Sequence, residues 1–142
     1  MTTPVEELEH RFLPLLQAAR DAAAARFPDY LFEVYSGPVG GLTSWQGHDV
    51  GLDASFPDAS AREANGVAIL IGLCHLTTEP TIWDAGLSWN QGQAPDACAE
   101  LDLVGEPVVF SSEALAAIER EFPALLDALL QALNAWQSRT PA

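Results

Sequence analysis

The sequence predicts one α+β domain, with N-terminal and C-terminal helices packed on one face of a five-stranded antiparallel meander sheet, in the order α-β-β-β-β-β-α. Three observations indicate this fold. Apolar residues recur at helical spacing at both ends of the chain, the middle alternates with the period of two that is typical of strands, and turn-rich connections separate the alternating runs. The 142 residues fit a single domain.

The first helix is predicted from about Pro4 to Phe27. Thr3 and Glu6 have the spacing of a capping box, and Pro4 suits the first helical position. Pro14 lies inside the pattern, where it should kink the helix. The predicted core stripe consists of Val5, Leu8, Phe12, Leu15, Leu16, Ala19 and Phe27.

The last helix is predicted from a cap at Ser111 or Ser112 to about Trp136. Pro123 should kink it or divide it in two. The apolar side consists of Leu115, Ile118, Phe122, Leu125, Leu126, Leu129, Leu133 and Trp136.

Five strands are predicted between the helices. A glycine-rich connection over residues 36–45 follows the first strand, and Asn65-Gly66, a favoured hairpin dipeptide, precedes the third. The strands are Tyr30–Ser36, Gly47–Phe56, Val67–Leu76, Thr81–Asn90 and Ala97–Leu103.

The third strand differs from its neighbours because it is apolar on both sides. In the second strand, Val50, Leu52 and Ala54 alternate with Asp49 and Asp53, so one face is oily and the other acidic. In the third strand, one side consists of Val67, Ile69, Ile71, Leu73 and His75. The other side consists of Ala68, Leu70, Gly72, Cys74 and Leu76. Whichever side meets the helices, we expect an apolar stripe on the acidic face. Such a stripe is typical of a contact site, unless long loops or a helix of the chain cover it.

The charge of the chain favours a basic partner. Twenty acids stand against six arginines and no lysine, which gives a net charge of −14. This charge opposes binding to nucleic acid and to anionic membranes, whereas it steers basic proteins towards the acidic sheet face. The predicted interaction residues are Asp49, Asp53, Asp84, Glu100 and Asp102 in a charged margin, with His75 and Trp45 as further contacts.

No catalytic residue, metal site or cofactor is predicted. Cys74 and His75 are adjacent on a strand and point in opposite directions, so they cannot both bind one ion. The glycine-rich connection lacks the lysine that a phosphate-binding loop requires. Ser36, Ser44 and Ser88 have no partner base at a recognisable spacing.

A cytoplasmic location is expected. The first residues are acidic and lack the basic start and apolar centre of a secretory signal. Apolar runs are too short to span a membrane. Cys74 and Cys98 each fall in a strand-like run, where a reduced, buried thiol is the simplest interpretation.

These observations predict a small acidic bacterial-type protein, a non-enzymatic interaction module that binds a basic partner through the uncovered sheet face. In size, charge and architecture the chain resembles the small acidic immunity or antitoxin-like proteins that neutralise basic bacterial effectors. One alternative is a small-ligand-binding protein or enzyme with a pocket near His48, Asp49 and His75. Another is a homodimer that buries the apolar stripe against its own copy.

Overall fold

The α+β prediction is confirmed in a computed structural model, which describes residues 3–40, 46–55, 66–74, 80–91, 101–103 and 106–139. Two long helices, one before and one after the strands in the chain, pack against an antiparallel sheet. The elements are α1 (Pro4–Arg26), β1 (Leu31–Gly40), β2 (Gln46–Ser55), β3 (Gly66–Cys74), β4 (Thr81–Gln91), β5 (Leu101–Asp102), β6 (Val108–Val109) and α2 (Ser112–Arg139).

Helix α1 begins at the predicted cap. The hydroxyl of Thr3 accepts a hydrogen bond from the backbone N–H of Glu6 at 3.1 Å, and it donates to the Glu6 carboxylate at 3.1 Å. The Glu6 carboxylate therefore accepts from the capping hydroxyl. In a full capping box it would instead accept from the backbone N–H of Thr3. The helix ends at Arg26, one residue earlier than predicted, and the Phe27 N–H still donates to the Ala23 carbonyl at 2.8 Å.

Helix α2 is capped by Ser111, whose hydroxyl accepts from the Ala114 N–H at 3.1 Å. It continues to Arg139, three residues beyond the predicted end at Trp136. Pro123 does not divide it, and Pro14 likewise lies within an unbroken α1. Each proline removes one backbone donor, and packing against the sheet offsets that loss.

The sheet has the predicted meander order β1-β2-β3-β4-β5, with one further strand. Strand β6 pairs with the start of β4, at Thr81 and Ile82, while β5 pairs with Gly86 and Leu87, so two short strands share the outer edge of β4. A two-residue strand shows no alternation, which is why the sequence did not predict β6. Of the predicted fifth strand, residues 97–100 lie outside the described part.

Strand β1 is longer than predicted because it includes the first half of the glycine-rich connection. Residues 36–40 pair with β2 in continuous register from Ser36↔Val50 to Gly40↔Gln46. Pro38 is tolerated here because β1 lies at the edge of the described sheet and pairs with β2 on one side, and an edge strand leaves one row of backbone groups unpaired.

Both helices pack on the same face of the sheet. The odd-numbered side of β3 meets them, since Val67, Ile69, Ile71 and Leu73 are fully buried in one core with both helices. Arg11 of α1 donates to Glu119 of α2 at 2.6 Å, and the Tyr30 hydroxyl donates to the Leu133 carbonyl at 3.1 Å. The remaining fully buried core includes Leu8, Phe12, Leu16, Ala23, Val50, Leu52, Ala54, Ile82, Ala85, Leu115, Leu125, Leu129 and Leu133.

No helix in the described part of the chain is long and apolar enough to cross a membrane.

Candidate functional site

The candidate site lies on the sheet face away from the helices, where strand register brings residues into cross-strand rows. Side chains alternate along a strand, so the residues directly before and after a buried core residue point to the face away from the helices. One row is Gly37, Asp49, Gly72 and Asp84. The next is Tyr35, Gly51, Leu70 and Gly86, and a third is Glu33, Asp53 and Ala68.

Tyr35 lies across the neighbouring strand in a position that only glycine permits. A Cβ at Gly51 would stand 2.5 Å from the Tyr35 hydroxyl oxygen and 2.6 Å from the Ile69 carbonyl oxygen. Both distances are far shorter than van der Waals contact, so the absence of a side chain at Gly51 lets the phenol cross from β1 onto β2. The row therefore begins with an aromatic ring that lies over Gly51.

Asp49 is a buried carboxylate with an unsatisfied oxygen. The residue is only 9% exposed, and its Oδ1 has no hydrogen-bond partner within the described structure. Burial, and then the nearby charge of Asp84, raise the pKa of Asp49 from 3.8 to about 6. At neutral pH the group is mostly ionised, which leaves a charged acceptor in a poorly solvated place.

The Tyr35 phenol is held in its neutral form beside this carboxylate. Burial raises the pKa of Tyr35 well above its usual range, and the charges of Asp53 and Asp49 raise it further. The site thus combines a protonated phenol with three carboxylates, those of Asp49, Asp53 and Asp84. Chemically, this arrangement favours a cation or a strong hydrogen-bond donor.

The apolar stripe of β3 is less exposed than the sequence predicts. The side away from the helices is Ala68, Leu70, Gly72 and Cys74, of which Ala68 is buried while Leu70 and Cys74 are half-buried. Among the described residues, the large apolar side chains that are truly exposed are Leu31, Val108 and Val109, which belong to other strands. The sheet face away from the helices is therefore acidic and glycine-rich rather than broadly apolar.

The structure brings together three of the seven predicted interaction residues, Asp49, Asp53 and Asp84. Asp102 lies in β5, in register with Gly86, at the end of the Tyr35 row. The other predicted contacts, Trp45, His75 and Glu100, lie outside the described residues.

Tyr35 and Gly51 were missed by sequence reasoning although a signal was present. Tyr35 alternates with Val34 and Ser36 in β1, which places it on the same sheet face as the acids once the strands pair in register.

A second polar cluster links α1 to the helix-facing side of the sheet. Ser36 Oγ lies 2.6 Å from Glu9 Oε2 and 2.7 Å from His48 Nε2, so Ser36 has a histidine neighbour that its sequence spacing did not reveal. The spacing concealed this pair because Ser36 and His48 lie on neighbouring strands that pair in antiparallel register.

The hydrogen bonds of this cluster differ from those of a catalytic serine. The Ser36 hydroxyl donates its one proton to Glu9, and with that proton engaged the Ser36 oxygen can only accept from His48. A nucleophilic serine needs the reverse, with histidine nitrogen accepting the hydroxyl proton. The cluster therefore fastens α1 to β1 and β2.

Of the three residues of the alternative pocket, His48 and Asp49 point to opposite faces of the sheet, and His75 lies outside the described residues. His48 contacts Ser36 and lies 4.0 Å from Glu9 of α1, whereas Asp49 lies on the opposite sheet face. Two cavities occur elsewhere among the described residues: an open depression of about 460 Å³ along α1 and a groove of about 280 Å³ between α2 and β6. Within the described ranges, no three His, Cys, Asp or Glu side chains are placed to hold a metal ion.

Charge is distributed unevenly between the helices and the rest of the chain. The helices α1 and α2 contain eight acids and five arginines, a net charge of −3. Subtracting this from the total of −14 leaves −11 for the residues outside the helices. Arg62 is the one arginine of the sequence that lies outside both helices. The strand and loop portion of the chain therefore carries most of the negative charge.

In comparisons with known proteins, no family model, curated protein or solved structure matches this chain.

Proposed function

We propose that this protein is a non-enzymatic interaction module that binds a basic protein partner through the sheet face away from its helices. The observation that carries the proposal is the buried, ionisable Asp49 with an unsatisfied oxygen among other carboxylates of that face. A buried carboxylate oxygen without a hydrogen-bond partner is costly, and a cationic group from another molecule would offset that cost.

Electrostatics supports a basic partner. The net charge of −11 outside the helices, to which Asp49, Asp53 and Asp84 of this face contribute, attracts basic proteins and speeds their association at low salt. The half-buried Leu70 and Cys74 add a small apolar contribution, so the proposal depends on charge more than on the predicted stripe.

A cytoplasmic, immunity- or antitoxin-like role is part of this proposal. Cys74 is a free thiol, which is typical of proteins that work in a reducing compartment. An acidic face that neutralises a basic effector would account for the charge without requiring catalytic residues.

The test uses a defined cation, an eight-residue peptide of alternating arginine and lysine, titrated at low and high salt. The triple variant D49N/D53N/D84N should bind it roughly tenfold more weakly than the wild type, a ratio that corresponds to about 1.4 kcal/mol. The matched control D29N/E121Q/D127N removes three charges at exposed positions and should bind like the wild type. Equal weakening in both variants, or no binding at low salt, would contradict the proposal. A doubled mass in solution without peptide would favour the homodimer interpretation.

A further inference from the structure

We propose that the cationic group taken up at this face is a guanidinium, so that an arginine side chain of the partner occupies the space beside Asp49 and above Gly37. This inference rests on the proposed function and names the chemistry of its central contact.

The first step concerns space. Gly37 and Gly72 flank Asp49 in the same cross-strand row, and neither has a side chain. A Cβ at Gly37 would meet no atom of the described residues within 4 Å, so the position next to Asp49 on β1 is open within that part of the chain. Directly paired residues on antiparallel strands have Cβ positions about 5 Å apart. A group that entered above Gly37 would therefore be within hydrogen-bonding reach of the Asp49 carboxylate.

The second step concerns the acceptor. Oδ1 of Asp49 is sealed from solvent and has no partner within the described residues. Rotation about χ2 of aspartate is broad and exchanges the two oxygens, so a donor that enters above Gly37 can be met by either oxygen. Asp84, two strands away in the same row, adds negative potential, as its effect on the pKa of Asp49 shows.

The third step chooses between cations. No three metal-binding side chains come together in the described part of the chain, so the site lacks the ligand set of a metal ion. An ammonium group is compact and strongly hydrated, and it loses more on entering a poorly solvated place. A guanidinium is planar, more weakly hydrated and able to bind a carboxylate with two parallel donors, and it also packs against aromatic rings such as Tyr35.

The experiment compares N-acetyl-arginine amide with N-acetyl-lysine amide, each titrated into the ¹⁵N-labelled full chain. Backbone amide shifts are followed, with Gly37 and Gly72 as reporters. We expect the arginine probe to shift these two amides and to bind roughly tenfold more tightly than the lysine probe. Asp49→Asn, which removes the charge, and Gly37→Val, which fills the open space, should each abolish the preference for arginine. Asp29→Asn, the same change at an exposed position, should keep it.

The outcomes separate this inference from the proposed function. Equal affinity for both probes, or an arginine preference that survives in D49N, would overturn the guanidinium site, while the alternating peptide could still bind the acidic face. Loss of peptide binding in the wild type would overturn both. Circular dichroism of G37V and D49N checks that both variants are folded, and a G37V variant that is folded but still prefers arginine would also count against the site.

Discussion

Replacing Gly51 with alanine should destabilise the protein, whereas the same replacement at Gly37 should not. Both glycines lie in the β1–β2 pair, so the substitutions differ mainly in what the new methyl group meets. At Gly51 the Cβ would stand 2.5 Å from the Tyr35 hydroxyl and 2.6 Å from the Ile69 carbonyl oxygen. At Gly37 it would meet none of the described residues within 4 Å.

The magnitude follows from two opposing effects. Alanine in a strand loses less backbone entropy on folding than glycine, which favours both variants by about 0.5–1 kcal/mol. Forcing an extra methyl group into a filled space costs about 1–3 kcal/mol, occasionally more. At Gly51 the Tyr35 side chain can rotate away, but the Ile69 carbonyl belongs to the backbone of the central strand and cannot move freely. We expect Gly51→Ala to lower the free energy of unfolding by about 2 kcal/mol and Gly37→Ala to leave it unchanged or slightly raised.

Urea denaturation followed by tryptophan fluorescence measures both variants against the wild type. The double variant G51A/Y35A tests the cause, since removing the phenol relieves one of the two contacts and should make the combined loss smaller than the sum of the single losses. If G51A were as stable as G37A, the crossing of Tyr35 over Gly51 would be wrong, and the geometry of the candidate site would be wrong with it.

Three further predictions concern charge and packing. The pKa of Asp49 rises from 3.8 in its unperturbed state to about 6 in the fold, so keeping the ionised form buried lowers the free energy of unfolding as the pH rises. This penalty is small below about pH 4 and on the order of 2–3 kcal/mol above pH 6. Between about pH 4 and pH 6, the stability measured by urea denaturation should therefore fall less in Asp49→Asn than in the wild type, and an equal fall would contradict the assignment. A double-mutant cycle of Arg11→Gln and Glu119→Gln should give a coupling of about 0.5–1 kcal/mol that weakens in salt; no coupling at low salt would mean that this pair does not link the helices. Phe12→Ala should cost about 3–5 kcal/mol because the ring is fully buried, against almost nothing for the exposed Leu31→Ala, and a similar loss in both would refute the predicted core.

The sequence predicted the fold well where periodicity extends over many residues. Both helices, with caps at Thr3 and Ser111, are found close to their predicted bounds, because helix caps and apolar stripes are local features. The four long strands were also predicted, because the alternation of apolar and polar residues is a local feature too. The strand β6 could not be predicted, since two paired residues at a sheet edge have no pattern of their own.

The candidate site was predictable only in part, because its geometry depends on register. Alternation placed Asp49 and Asp53 on the face opposite Val50 and Leu52. It could not show that Tyr35 lies over Gly51, which requires knowledge of how β1 pairs with β2. The Ser36 and His48 pair escaped notice for the same reason. Residues that are distant in sequence meet only after the strands have found their partners.

The separation between nearly balanced helices and a strongly acidic remainder has a practical consequence for experiments on surfaces. A positively charged support, such as an anion-exchange resin or an amine-coated sensor chip, will attract the strand and loop portion of the chain more strongly than the helices. Such a support would compete with any cationic probe for the same carboxylates. Attachment to a neutral matrix removes this competition.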